Sequence, residues 1–295
     1  MHTLIFTVPP EYDGIRLKSF LRGHCHISYR LMVHQKHVPG GITCNGRLIR
    51  TIDPVHTGDI IALALAPDAH PATPEEAPPL HVLYEDDHLL VLNKPPGLAM
   101  HPSPSFAGGT LANAVAAHLV RQGQEAAFRP VGRLDRDTSG LVVAAKHAYA
   151  AARLNGCIQK EYLAVACGSL PGSGTIDAPI RRREGSIIAR EAGAGGLHAV
   201  THWCARAHGG GMTLLQVAPQ TGRTHQIRVH CAHSGHPLVG DTLYGSESPL
   251  IARQALHCHQ MRLTHPVTGD SFFLSVPPPP DFAPLLREML REARS

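Results

Sequence analysis

Eight consecutive residues, Arg133-Leu134-Asp135-Arg136-Asp137-Thr138-Ser139-Gly140, hold two guanidinium groups, two carboxylates, two hydroxyls and a glycine. The apolar run Leu141-Val142-Val143-Ala144-Ala145 follows directly and reads as a buried strand. Polar residues just before such a strand lie at a sheet end, a common place for active sites. The plainer reading is a solvated turn closed by Asx and hydroxyl hydrogen bonds. A second polar segment, Gly222-Arg223-Thr224-His225-Gln226-Ile227-Arg228-Val229-His230, reads as a loop running into a basic helix that touches solvent or phosphate. A third, Lys160-Glu161-Tyr162-Leu163-Ala164-Val165, alternates like a strand, where a tyrosine is usually a packing residue.

Elements must position these groups. His70 to Pro79 carries four prolines in ten residues, so neither a helix nor a central strand continues through it. It is expected to be an extended linker over 70–79, dividing a unit of residues 1–69 from one of residues 80–295. In the first unit, Ile15, Leu17, Phe20 and Leu21 follow helical spacing. Ser28 is placed to cap a second helix running to about His37. Ile42 to Arg47 and Asp59 to Leu65 read as short strands. In the second unit, strands are expected at His88 to Leu92, Leu141 to Ala145, Tyr162 to Ala166 and Met212 to Val217. Thr110 caps a helix from Leu111 to about Arg121, and Ala148 to Leu154 forms a short one. Thr224 is read as the cap of a helix to about His233, and Pro280 to Arg294 as a terminal amphipathic helix. Strands and helices interleave without regular βαβ units, which predicts an α+β fold.

These motifs together resemble a known family. Pro130-Val131-Gly132-Arg133-Leu134-Asp135-Arg136-Asp137-Thr138-Ser139-Gly140-Leu141 is similar to the signature of pseudouridine synthases, Arg-Leu-Asp-x-x-Thr-Ser-Gly-Leu. Gly222 to His230 resembles the third motif of the RluA branch. It continues as Ala232-His233-Ser234-Gly235-His236-Pro237-Leu238-Val239-Gly240-Asp241 and Tyr244-Gly245. Lys160 to Ala164 resembles the second motif, Lys-x-Tyr-x-Ala. Val91 to Leu98 with His101-Pro102 resembles the opening motif, and Leu256 to His259 with His265 to Gly269 the closing segment. At Gly132 the best-known RluA-type members carry histidine, and glycine is usual in the sister RsuA branch. The long third motif selects the RluA branch.

The resemblance implies a pseudouridine synthase catalytic fold, with a large mixed, mostly antiparallel sheet flanked by helices. It implies Asp135 as the essential catalytic residue. Arg223 would pair with it, fixing the carboxylate and favouring its charged form. Tyr162 would stack on the target base and take part in proton removal. Arg133 would help expel the target nucleotide from its helix, and Lys94, Thr138 and Ile227 are expected among the substrate-binding residues. The implied reaction detaches uracil from ribose, turns it and rejoins it through carbon. Asp135 would either attack C1′ to give a sugar ester or remove the 2′ proton to give a glycal. No cofactor and no metal are implied. The first unit resembles the α-L RNA-binding domain of a small-subunit ribosomal protein. Its markers are Arg16-Leu17, Phe20-Leu21, Gly41 to Arg47 and Gly58 to Ile61, with Arg22, Arg30 and Lys36 as basic contacts. The expected partner is RNA, ribosomal RNA of the large subunit ahead of transfer RNA, bound by a monomer. Two rivals stand beside this reading: an inactive RNA-binding assembly factor and a nucleoside hydrolase.

Composition fits. The 295 residues are 43% hydrophobic and 17% charged with net charge +4, compatible with RNA binding without demanding it. No apolar run reaches the ~18 residues of a membrane helix, and the first ten residues lack the basic flank and cleavage site of a signal peptide. The seven cysteines are scattered, which predicts reduced thiols and a cytoplasmic protein. Among 22 histidines, His24-Cys25-His26, His230-Cys231 and His257-Cys258-His259 lack the paired ligand spacing of a structural zinc site.

Overall fold

The computed structural model describes residues 2–65, 72–75, 79–103, 107–124 and 127–292. The first unit comprises β1 (His2–Thr7), α1 (Leu17–Gly23), α2 (Tyr29–Gln35), β2 (Ile42–Cys44), β3 (Arg47–Leu48) and β4 (Ile60–Leu65). Alternation drives its sheet: Ile61, Leu63 and Leu65 of β4 are buried and the residues between them are not, as expected for a strand with one covered face. The sheet order is β1-β4-β2-β3. The helices cover that face through Leu17, Phe20, Leu21 and Met32. Ser28 caps α2 by accepting a bond from the Leu31 amide at 3.2 Å.

The second unit is built on a ten-stranded mixed sheet. Its strands are β5 (Val82–Glu85), β6 (Leu89–Lys94), β7 (Arg129–Pro130), β8 (Ser139–Ala145), β9 (Gln159–Cys167), β10 (Ser173–Asp177), then β13 (Val200–Gly209), β14 (Met212–Pro219), β15 (Leu256–Thr264) and β16 (Ser271–Ser275). β11 (Ile180–Arg182) and β12 (Arg190–Ala192) form a separate hairpin. Helices α3 (Leu111–Arg121), α4 (Ala148–Leu154), α5 (Gln226–His233) and α6 (Ala283–Glu292) complete the α+β fold. The order is β10-β13-β14-β9-β15-β8-β6-β5, with β16 beside β15 and β7 beside β8. All pairs are antiparallel except β15 with β8. Every residue of β8 is buried, as fits a central strand covered on both faces. Gly140 makes the parallel pairing possible. Its φ is +112°, and a Cβ there would overlap the Cys258 carbonyl. The start of β8, where the polar octet ends, is therefore drawn tightly against β15.

Several elements differ from the sequence-based expectation. Thr224 does not cap α5. His225 occupies the cap position in the left-handed region, with φ 58° and no side-chain capping bond. The Gln226 side chain does the work instead, accepting from the Arg223 amide at 2.9 Å and from Thr221 Oγ1 at 2.8 Å. The terminal helix is broken into a short turn at Pro280–Phe282 and α6; residues 293–295 lie outside the described residues. Of the proline-rich stretch, residues 70, 71 and 76–78 lie outside them as well. Within it, Thr73 and Glu75 dock on the start of α3. The Thr73 carbonyl accepts from Asn113 Nδ2 at 2.9 Å, and Glu75 accepts from the Gly109 amide at 2.7 Å. Those residues are fastened rather than extended in solvent. The two units meet at α4, where Tyr149 joins the core of the first unit and donates to the Cys25 carbonyl at 3.1 Å.

Candidate active site

The octet forms the loop between β7 and β8, and two buried cations pin its backbone. Lys94 is 1% exposed. It donates to the carbonyls of Pro95 at 2.9 Å, Leu98 at 2.9 Å and Arg136 at 2.8 Å. Arg253 donates to the Asp137 carbonyl at 2.9 Å while its other edge holds Asp281 at 2.7 and 3.0 Å. Gln254 donates to Thr138 Oγ1 at 3.2 Å. The Thr138 amide closes the turn on the Asp135 carbonyl at 3.1 Å. With its flanking residues fixed, Asp135 has few backbone conformations left, which pre-organises its carboxylate.

That carboxylate is 14% exposed and opens into a cleft of about 610 Å³. Arg228 Nη1 lies 3.3 Å from Asp135 Oδ2. The same guanidinium grips fully buried Asp241 through Nε at 2.7 Å and Nη2 at 2.8 Å. Burial works against the Arg228 charge, and the Asp241 and Asp135 carboxylates outweigh it, raising the guanidinium above its ordinary value. On the other side, His225 Nε2 is 3.8 Å from Asp135 Oδ1. Burial lowers the His225 pKa; Asp135 pushes back, and Arg228, Arg133 and Arg190 add to the lowering. The ring is thus neutral at pH 7. Its Nδ1 is 2.8 Å from the Tyr244 hydroxyl, which already accepts from the Arg190 amide at 2.9 Å. An Nε2 lone pair facing a carboxylate would be repelled. The favoured tautomer carries the proton on Nε2 and accepts at Nδ1 from Tyr244. Tyr244 also lies under Arg228, 5.1 Å from the guanidinium carbon to the ring centre.

The expected Arg223–Asp135 pair is corrected here. Arg223 is exposed on the cleft rim and donates through Nε to the His198 carbonyl at 2.9 Å. The reason is its place ahead of the helix. Arg228 lies inside α5, and helical side chains lean toward the N-terminus, which brings its guanidinium back over the acid. Lys94 is corrected too. Its three donors are spent on carbonyls and it does not line the cleft, so it shapes the Asp135 loop instead of touching substrate. Burial pulls its pKa down to about 7, with Arg253 adding to the fall and Asp137 and Asp135 opposing it. Lys94→Met keeps the stem and removes the donors. It is expected to cost about 2–4 kcal/mol in urea denaturation, because three inward-facing carbonyls lose their partner. Unchanged stability would refute the clamp.

The remaining expected residues converge on the cleft. Arg133, Thr138, Tyr162 and Ile227 all line it. Arg133 is exposed, whereas Thr138, Tyr162 and Ile227 are 2%, 7% and 6% exposed. Burial raises the Tyr162 phenol well above its ordinary value, and Cys258 and Asp135 raise it further. It keeps its proton at neutral pH, which suits it to stacking more than to acting as a resting base. Sequence reasoning missed the roles of Arg228, Asp241, His225 and Tyr244, although all four stand in the third motif and its continuation. It also missed Arg253 and Gln254, for which no local signal existed. All seven cysteines are unpaired. Among the described residues no helix is long and apolar enough to cross a membrane.

An acid in a polar-rimmed cleft at the end of a mixed sheet suits an enzyme that acts on an extruded nucleotide, and similarity to known proteins shows that the chain belongs to the RNA pseudouridine synthases of the RluA type. The RNA pseudouridylate synthase family model matches residues 88–233. The uncharacterized RNA pseudouridine synthase YjbO of Bacillus subtilis is 38% identical over 272 residues, which are 90% of this chain and 96% of YjbO. Ribosomal large subunit pseudouridine synthase D of Xylella fastidiosa is 37% identical over 306 residues, covering 96% of this chain and 87% of its own. Among solved structures, human RNA pseudouridylate synthase domain containing 1 aligns with a TM-score of 0.57 at 26% identity, over 70% of this chain and 86% of that one.

Proposed function

We propose that this enzyme isomerises a specific uridine of large-subunit ribosomal RNA in the cytoplasm, with Asp135 as the group that acts on the sugar. The observation that carries the reading is the Asp135 carboxylate, held by Arg228 and opening into a cleft it shares with Tyr162 and Arg133. The target base must leave its helix before its sugar can reach an acid at that depth. Arg133 on the rim offers a cation to the opened strand, and the Tyr162 ring offers a stacking face worth roughly 1–3 kcal/mol. Asp135 then bonds to C1′ or takes the 2′ proton, and uracil leaves as its anion, turns and rejoins through C5. Rejoining frees Asp135 or returns its proton to C2′, while C5 gives up a proton and N1 gains one. The large-subunit target is supported by the names of relatives such as the Xylella protein. The first unit serves as an α-L RNA-binding domain, its exposed Arg22, Arg30 and Lys36 lying on or beside α1 and α2.

Pseudouridine mapping of all RNA in cells with and without this gene tests the reading. The expected result is loss of one or a few large-subunit sites, restored by the purified enzyme on an unmodified transcript. Loss confined to transfer RNA would overturn the target. An unchanged map together with an inert protein would overturn the catalytic reading and favour an RNA-binding assembly factor.

A further inference from the structure

We infer that Lys160 is a catalytic residue for the departure of uracil, donating a hydrogen bond to an exocyclic carbonyl of the base as its glycosidic bond breaks. The inference rests on the pseudouridine synthase reading and adds the group that receives the charge of the leaving base.

Lys160 and Tyr162 stand two apart on β9, so both side chains lie on one face of the strand. Both line the cleft that holds Asp135. Among the described residues, no acceptor lies within hydrogen-bond reach of the Lys160 ammonium, whereas the buried Lys94 and Lys146 spend theirs on three carbonyls and on Glu85 with Gln124. An unpaired ammonium in a mostly enclosed site is costly unless something arrives to meet it. Burial lowers its pKa below the ordinary amine value, as expected of a cation waiting without a counter-charge.

Gly132 gives the ammonium its place. With φ +76°, Gly132 turns a bare backbone face toward β9, and a Cβ built there would sit 3.3 Å from Lys160 Nζ. A larger side chain at this position would compete for that space.

The chemistry gives the cation a task. When C1′–N1 breaks, the bonding electron pair passes into the uracil ring and spreads over N1, O2 and O4. The sugar is satisfied either by a bond from Asp135 or by the pair left when the 2′ proton departs. On either route, negative charge grows on the exocyclic oxygens of a base stacked on Tyr162, beside Lys160. A donor there strengthens as charge develops, so it lowers the barrier more than it tightens binding. No proton is transferred. When C1′–C5 forms, the pair returns to that bond while the Asp135 ester breaks or Asp135 returns the 2′ proton. The C5 proton then passes to solvent, N1 takes up a proton in its place, and Lys160 is released.

The test compares single-turnover rates of wild type, Lys160→Met and Lys160→Arg on the RNA the wild type modifies, transcribed with uridine or with 5-fluorouridine. Loss of the N-linked nucleoside is followed by chromatography of digests. On uridine RNA, Lys160→Met is expected to be slower on the order of 10²-fold, with Lys160→Arg partly restored and RNA affinity within about threefold of wild type. Fluorine stabilises the departing anion, so on 5-fluorouridine RNA the defect should shrink to less than about tenfold. Equal defects on both RNAs, or a defect confined to affinity, would overturn the role. An active wild type with an equally active Lys160→Met would sink Lys160 alone. A wild type inert on every RNA would sink the synthase reading and this inference with it.

Discussion

Asparagine in place of Asp135 is expected to lower single-turnover pseudouridine formation by at least roughly 10⁴-fold, the largest effect of any single change in this chain. The amide is nearly isosteric with the acid and still presents one oxygen to Arg228 Nη1, now 3.3 Å from Oδ2. The loop is held by contacts that do not involve the carboxylate, through the carbonyls of Arg136 and Asp137 and the hydroxyl of Thr138. The fold should therefore survive, with a melting temperature within a few degrees of wild type. RNA affinity should stay within about threefold, because rim cations and the stacking ring supply binding while the acid supplies chemistry. An amide can neither bond to C1′ as a carboxylate does nor accept the 2′ proton, so both routes fail alike. Turnover near wild type in a folded Asp135→Asn protein would end the assignment. A variant that neither binds RNA nor melts cooperatively would show that Asp135 is structural instead.

What could be read before any coordinates was local chemistry. Ser28 caps α2, Thr110 caps α3 through a reciprocal bond with Asn113, and α4 runs over the span its composition predicts. Each depends on residues within one helical turn. Asp135 was legible because its motif is contiguous. What failed depends on distance or phase. β15, which pairs with β8, β9 and β16, was read only as a closing motif, since its partners lie more than a hundred residues away in β8 and nearly as far in β9. The hairpin of β11 and β12 and the long strand β13 were missed because exposed arginines and histidines blur their alternation. The clamp of Lys94 and Arg253 works through backbone carbonyls, which every residue carries, so side-chain identity does not mark the acceptors. The pairing of Asp135 with Arg223, which the resemblance implies, fails on the phase of the helix. A helix starting at Thr224 would leave either arginine a claim on the acid. The left-handed His225 moves the start to Gln226, puts Arg223 on the rim and turns Arg228 inward.

That distinction yields the second large effect. Arg228→Gln removes the guanidinium from Asp135 and strands Asp241, which is fully buried and whose other acceptor contacts are the amides of Leu243 and Tyr244. Breaking one side of such a buried pair costs about 3–5 kcal/mol, which urea denaturation will read. Loss of the positioned cation should also slow single-turnover isomerisation on the order of 10³-fold when assayed well below the variant's melting temperature. Arg228→Lys keeps a charge but not the fork that engages Asp241 through two nitrogens and Asp135 through a third. It should recover stability only in part, and its rate should fall between wild type and Arg228→Gln with little change in apparent substrate affinity. Arg223→Gln is the control. Its side chain is exposed and makes one bond, to the His198 carbonyl, so the melting temperature should stay within about 2 °C and the rate within about tenfold of wild type. If Arg223→Gln proved as damaging to the chemical step as Arg228→Gln while folding normally, the guanidinium that serves Asp135 during catalysis would be the one on the rim. The helix would then have to rotate or unwind on binding RNA, and the arrangement of Arg228 between Asp135 and Asp241 would describe a resting state that the substrate dismantles.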